Sequence, residues 1–233
     1  MNRIRWFHVG MTAICVCFGL TMQVHAQIAI HEVDFSSSDG GYTVTNVGNI
    51  QNPWTWAAGD GWQVNGNEGG DGSPNNLSQL TSPTIAIPGS APVTLSFAHR
   101  YSFEAEWDAG AIFTSVNGGA FEQLPGTSFT SNGYTFQGLL GGHDLMNGEG
   151  FNGDTADFSA GALITTNADL GTYNAGDSLQ IQFYGAWDQF AIGELSPPEW
   201  HVDSVQVTIP EPSALGLALL GLLGLFGSGR RRG

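Results

Sequence analysis

Residues 93–101, Val93-Thr-Leu-Ser-Phe-Ala-His-Arg-Tyr101, alternate between apolar and polar side chains with a period of two. A β-strand places successive side chains on opposite faces of its sheet, so this period is typical of a half-buried strand. Phe97 and His99 share the apolar face, and Arg100 lies on the other. The stretch therefore predicts a strand that contributes to the core of a sheet protein.

Shorter runs that are typical of strands follow along the chain, separated by Gly, Asn, Asp, Ser and Pro, and those at 179–183 and 205–209 alternate in the same way. They occupy residues 110–116, 121–124, 179–183 and 205–209. Regularly spaced short strands with turn signals are typical of a β-sandwich. We therefore predict an all-β fold, a single jelly-roll β-sandwich over residues 27–209.

Residues 1–26 have the features of a secretory signal peptide: a basic start, an apolar run at 9–20 and a small-residue exit ending at Ala26. We expect signal peptidase to cleave after Ala26. Cys15 and Cys17 both lie in this segment, so the exported domain contains no cysteine. The protein is therefore expected outside the cytoplasm, without disulfide bonds.

The C-terminal segment, residues 210–233, has three parts in order. They are Pro210-Glu211-Pro212, seventeen uncharged residues at 213–229, and the cluster Arg230, Arg231 and Arg232. At about 1.5 Å per residue the uncharged part would form a helix about 26 Å long, slightly shorter than a hydrocarbon core of about 30 Å. Basic residues at the end of a membrane helix stay cytoplasmic. The segment thus predicts a single transmembrane helix.

This order of proline-rich tripeptide, apolar helix and arginine cluster resembles the PEP-CTERM sorting signal. The resemblance implies processing by an exosortase-like membrane protease, with the helix as a transient membrane anchor. The product would lie at the cell surface or in the extracellular space. An ordinary C-terminal anchor that follows a proline-rich linker is the alternative.

The exported domain is strongly acidic. Residues 27–209 contain twenty carboxylates and one basic residue, Arg100, which gives a formal charge of −19. This balance excludes nucleic-acid binding through a basic surface. Bound divalent cations would offset the self-repulsion, and a merely soluble acidic surface is the alternative.

A second resemblance covers residues 30–209. Its motifs are the strand LSFAHRYSFE at 95–104, the turn WDAG at 107–110 and the closing strand WHVDSV at 200–205. Together they resemble the MAM-like jelly-roll domain found beside immune-inhibitor-A-type metallopeptidases. The resemblance implies structural calcium, and the activity of the associated peptidase is not carried over to this sequence. Ala109 and Ser204 depart from the family pattern, and Ser204 removes one carboxylate.

Asp203 is the first candidate metal ligand. It alternates with Val205 in the closing strand, so we expect it to point toward the apolar layer, where an unpaired carboxylate is costly. Backbone donors, Arg100 or a cation would stabilise it there. Asp34 and Glu104 are candidates to complete a Ca²⁺ site, since Ca²⁺ takes six to eight oxygen ligands. The alternative is a carboxylate that caps a loop through hydrogen bonds.

The tryptophans suggest a glycan platform, because aromatic faces suit sugar rings. We expect Trp107 and Trp187, flanked by Asp108 and Asp188, to be exposed and to contact a glycan. The remaining tryptophans of the exported domain are expected in the core, where aromatic side chains contribute much of the burial. These are Trp54, Trp56, Trp62 and Trp200.

No motif of a catalytic site is present: the histidines lack zinc-site spacing, and no nucleophile elbow or phosphate loop occurs. We therefore expect a non-catalytic exported protein of the cell surface or extracellular matrix, acting in binding or adhesion around exopolysaccharide. A carbohydrate-binding module with structural calcium is the alternative. A glycoside hydrolase that uses two of the carboxylates is a third interpretation, which depends on the separation of the pair.

Overall fold

A computed structural model describes residues 26–66, 75–188 and 199–211. These residues form fifteen strands and two 3-10 turns, Gly126–Ser128 and Phe158–Ala160, and they contain no α-helix. The strands are β1 (Gln27–Asp34), β2 (Thr43–Val47), β3 (Thr55–Ala57), β4 (Gly61–Val64), β5 (Asn76–Thr81), β6 (Ile85–Ala86), β7 (Ala91–Ser102), β8 (Ala109–Val116), β9 (Glu122–Gln123), β10 (Phe129–Ser131), β11 (Phe136–Gln137), β12 (Glu149–Gly150), β13 (Ile164–Tyr173), β14 (Ser178–Trp187) and β15 (Glu199–Pro210).

Two of the sequence predictions fall mostly outside these ranges. Residues 1–25 of the predicted signal peptide and residues 212–233 of the predicted sorting signal are not described. Within the described ranges, no helix has the length and apolar character needed to cross a membrane.

The strands form two antiparallel sheets that pack face to face, as the predicted all-β sandwich requires. The larger has the order β10-β13-β7-β15-β4-β3, with β1 also paired to β15. The smaller has the order β2-β5-β14-β8-β9, with β6 also paired to β14, while β11 and β12 form a separate pair. The chain crosses from the larger to the smaller sheet between β7 and β8 and between β13 and β14, and it returns to the larger sheet between β14 and β15.

Strand β7 has the buried face that its alternation predicts. It pairs with β13 on one side and β15 on the other, so it is central to the larger sheet. Its apolar face packs against β14 of the opposite sheet, where the rings of Phe97 and Phe183 lie 5.3 Å apart. The largest fully buried side chains of the core are Trp187, Trp200, Tyr101, Phe35, Phe97, Phe103, Phe151, Phe183, Leu77, Leu80, Ile87 and Leu95.

The first and last strands of the domain are neighbours. Strand β1 runs antiparallel to β15, with Gln27 opposite Pro210 and Asp34 opposite Ser204. The N–H of Glu211 also donates to the carbonyl of Ala26 at 2.8 Å. The predicted signal-peptide cleavage site and the start of the sorting signal therefore lie side by side at one edge of the sandwich.

Candidate functional site

The turn between β7 and β8 exposes one side chain and buries the next. Its backbone is closed by the N–H groups of Trp107 and Asp108, which both donate to the carbonyl of Glu104 at 3.2 Å. Glu106 has a φ of 72°, in the left-handed region that non-glycine residues rarely occupy. As a result Trp107 points outward and is 40% exposed, whereas Asp108 is fully buried.

Asn152 holds this turn in place. Its Nδ2 donates to the carbonyls of Glu104 and Asp108 at 2.9 and 2.7 Å, and its Oδ1 accepts the N–H of Glu106 at 3.1 Å. Thr135 fixes Asn152 in turn, because its Oγ1 both accepts from the N–H and donates to the carbonyl of that residue. Sequence reasoning missed Asn152, whose only signal was its place in a long loop rich in Gly and Asn.

The loop between β11 and β12 packs beside Trp107 through His143. The Nδ1 of His143 accepts the N–H of Leu145 at 3.1 Å, so the proton is on Nε2, which donates to the carbonyl of Trp107 at 2.6 Å. Burial lowers the pKa of His143, which keeps the ring neutral. The same loop exposes Leu140 and Met146. We call the exposed side chains of Trp107, Leu140 and Met146 the Trp107 surface.

Three carboxylates lie behind this surface. The Oδ1 of Asp108 accepts the N–H of Asp188 at 3.0 Å, while its buried Oδ2 has no hydrogen-bond partner among the described residues. Burial raises the pKa of Asp108 well above its usual range, the hydrogen bond from Asp188 lowers it, and the charges of Asp188 and Glu104 raise it again. Asp188 is half-buried and is fixed at its carbonyl by Asn76 Nδ2 at 2.8 Å.

The prediction that Trp187 is exposed is wrong, because the structure buries it completely. Residues Leu179, Ile181 and Phe183 face the core, and the same alternation continues through Gly185 to Trp187. Gly185 leaves the space for the indole, since a Cβ there would lie 2.3 Å from it. Asp108 is likewise buried, so of the four predicted glycan contacts Trp107 is exposed and Asp188 is half-buried.

The three predicted calcium ligands do not come together. Strand β15 has a bulge between Val202 and Ser204, so Val202 faces the core and Asp203 is only half-buried. Asp34 is exposed, and hydrogen bonds from the side chain and from the N–H of Ser36 lower its pKa; the N–H donates to Oδ1 at 2.9 Å. Glu104 follows the far end of β7. No group of three or more His, Cys, Asp or Glu suited to a metal occurs in the described part of the chain.

The remaining tryptophans agree with the prediction of a core position. Trp54, Trp62 and Trp200 are buried, and Trp56 is half-buried with its Nε1 donating to the carbonyl of Phe35 at 2.7 Å. Trp107 is the exposed tryptophan of the described residues.

Three solved structures resemble the sandwich. The K3 cleaved adhesin domain of Lys-gingipain from Porphyromonas gingivalis w83 is 13% identical, with a TM-score of 0.39 over 77% of this chain and 98% of that one. The K1 cleaved adhesin domain of the same protein is 11% identical, with a TM-score of 0.40 over 78% and 97%. The C-terminal CBM6 of a laminarinase, LamC, from Zobellia galactanivorans is 13% identical, with a TM-score of 0.35 over 78% and 99%.

At these TM-scores the likenesses carry no functional argument, and they do not confirm the MAM-like type of the sandwich. No curated protein matches the chain significantly. Residues 208–232 match the PEP-CTERM protein-sorting motif, which confirms the predicted sorting signal. This chain therefore carries the sorting signal of a surface protein that is processed by an exosortase, a membrane protein.

Proposed function

We propose that the exported domain is a non-catalytic binding domain that holds a glycan of the surrounding exopolysaccharide on the Trp107 surface. The observation that carries this proposal is the exposed indole of Trp107, held by hydrogen bonds from Asn152 and His143 to the backbone around it. An aromatic face offers apolar contact to a sugar ring, and a turn fixed before binding loses little entropy when the glycan binds.

The carboxylates behind the surface favour binding over hydrolysis. A glycoside hydrolase needs two carboxyl groups on either side of the scissile bond. Asp108 is closed to solvent and its Oδ1 accepts the N–H of Asp188, so this pair faces no shared cleft in the described residues. Burial explains the raised pKa of Asp108, so the shift does not by itself indicate a general acid.

Affinity gel electrophoresis against a panel of polysaccharides tests the proposal. We expect at least one glycan to retard the protein, and Trp107→Ala to abolish the retardation without lowering the midpoint of thermal unfolding. Val116→Ala is the matched control, because Val116 is also 40% exposed and belongs to β8. Equal retardation of the two variants would show that Trp107 does not contact the glycan. If no glycan retarded the wild type, the domain would have a structural role in the matrix instead of a binding one.

Structural calcium and the MAM-like type remain part of the proposal. Calcium is supported by the adjacency of Asp34 and Asp203, on paired strands joined by the hydrogen bond from the N–H of Phe35 to the carbonyl of Asp203 at 2.8 Å. The MAM-like type is supported by the sequence motifs at 95–104, 107–110 and 200–205. A ligand that binds only the folded state raises the unfolding midpoint. Thermal unfolding with Ca²⁺ and with EDTA tests this, and identical midpoints would dismiss calcium.

A further inference from the structure

Most edge strands of the described sandwich are protected against pairing with another chain. Exposed edges are blunted in natural proteins by short length, charge or bulges. Strands β3, β6, β9 and β10 have only two or three residues. Strand β1 is longer, but it carries Glu32 and Asp34 and has a bulge between Ala29 and His31.

Strand β2 has none of these protections. It is the edge of the smaller sheet, paired with β5 alone among the described strands, over five residues without a bulge. Its sequence is Thr43-Val-Thr-Asn-Val47, with no charge and no proline. All of these side chains are exposed except that of Val44, which is half-buried.

The sequence on either side of β2 and the paired strand β5 are also uncharged, which is unusual in a domain with a formal charge of −19. Residues 40–59 contain no charged side chain, and neither does β5. Like charges placed opposite each other across two strands are destabilising. Two copies of this edge could meet without that cost, whereas two copies of β1 would bring carboxylates together.

We infer that β2 is an interaction surface at which a second copy of this chain pairs, antiparallel, to form one continuous sheet across two molecules. A two-fold axis at Thr45 would place Thr45 opposite its own copy and Thr43 opposite Val47. Both pairs are β-branched, and such residues suit a pleated surface. A two-fold contact closes on itself, so it yields dimers rather than filaments. The inference does not depend on glycan binding.

Cysteine cross-linking in cells that express the full chain tests the inference. Thr45→Cys should give a disulfide-linked dimer on mild oxidation, since residues opposite each other across antiparallel strands have their Cβ atoms about 4.5–5.5 Å apart. Thr130→Cys is the matched control, because Thr130 is an exposed threonine on β10, a short edge strand of the other sheet. We expect several-fold more dimer from Thr45→Cys, and equal yields would overturn the inference.

Two further variants test the register and the edge itself. Co-expressed Thr43→Cys and Val47→Cys chains should cross-link to each other, and a dimer from Thr43→Cys alone would instead indicate parallel pairing. Adding Val47→Lys to Thr45→Cys should reduce the dimer, because a lysine on the edge opposes pairing. Val47 is exposed, so this change leaves the core intact. An unchanged dimer yield would show that the contact does not use β2.

Discussion

The indole N–H of Trp200 donates to the Nδ1 of His99 across 3.1 Å in the centre of the core. The proton of the imidazole is therefore on Nε2, which lies 2.7 Å from the Oγ1 of Thr166. That hydroxyl donates onward to the carbonyl of Asn132 at 2.7 Å. The chain of hydrogen bonds satisfies a fully buried, neutral histidine on a strand face that otherwise carries apolar side chains.

This environment predicts a loss of stability at mildly acidic pH. Burial lowers the pKa of His99 from 6.5 to about 3, so below pH 6.5 the unfolded chain binds a proton that the folded chain does not. Stability then falls as the pH decreases from 6.5 toward 3. At about 1.4 kcal/mol per pH unit, the contribution of His99 between pH 6.5 and 5 is about 2 kcal/mol.

Urea unfolding of the wild type and of His99→Gln at pH 7.5 and pH 5 measures this effect. The variant should be less stable at pH 7.5, and its deficit should shrink by about 2 kcal/mol at pH 5. A deficit that stays constant would mean that His99 does not titrate between the two states in this range.

Asp108 predicts a pH dependence of the opposite sign. Burial raises its pKa well above 3.8, so above pH 3.8 the folded state holds a proton that the unfolded state has lost. Stability from this group is therefore present at low pH and declines as the pH rises toward the folded-state pKa. Asp108→Asn removes the titration, so its unfolding midpoint relative to the wild type should increase from pH 4 to pH 7. A relative midpoint that decreased over this range would contradict the shift.

The sequence predicted the sheets better than the site, for reasons visible in single residues. Alternation in β7 identified its buried face because the strand is regular and central. The same rule failed at Asp203, where a bulge resets the alternation, and no residue type marks that bulge in advance. The burial of Trp187 followed from the alternation that begins at Leu179, but the adjacent carboxylate of Asp188 suggested exposure instead.

The residues that fix the backbone around Trp107 could not be predicted from the sequence. Asn152 lies 45 positions from Trp107 in the sequence, and His143 lies 36 positions away. Their hydrogen bonds depend on how two loops meet in space, which periodicity does not encode. The sorting signal was readable because its parts are consecutive.

The close approach of Gly110 to Trp200 predicts a large effect of one methyl group. A Cβ on Gly110 would lie 2.7 Å from the indole, and both residues are buried, so the ring has no room to move. Overpacking of this kind costs about 1–3 kcal/mol. Chemical denaturation of Gly110→Ala should show a loss in that range. Gly89→Ala is the control, since its Cβ would meet no atom within 4 Å, and it should leave stability unchanged or slightly higher. Equal effects would show that the contact is not formed.

The three hydrogen bonds from the Asn152 side chain to the turn before β8 predict that removing them lowers both stability and glycan binding. Asn152→Ala removes three side-chain hydrogen bonds to the turn that carries Trp107. The carbonyl of Glu104 keeps its bonds from the turn itself, whereas the N–H of Glu106 and the carbonyl of Asp108 lose the partner that Asn152 supplied. We expect a cost of about 2–4 kcal/mol, together with weaker retention on any glycan that the wild type binds. Asn167→Ala is the control, because it removes one hydrogen bond to Ser131 within the larger sheet, between β13 and β10. Its cost should be about 1 kcal/mol, with retention unchanged. If the glycan retained the Asn152 variant as strongly as the wild type, the hydrogen bonds from Asn152 would not be needed for binding.

The end of β15 predicts where the chain can be shortened without loss. Among the described residues, a chain that stops after Ile209 loses the pairing of Pro210 with Gln27 and the hydrogen bond of Glu211, which lie at the edge of the sheet. Its unfolding free energy should fall by no more than about 1 kcal/mol. Stopping after Ser204 also removes three buried apolar side chains, each of which contributes about 2 kcal/mol, so this chain should not fold. A large loss on stopping after Ile209 would mean that the sorting segment packs on the domain. A small loss of unfolding free energy would show that the residues of the sorting signal after Ile209 are not needed for the domain to fold.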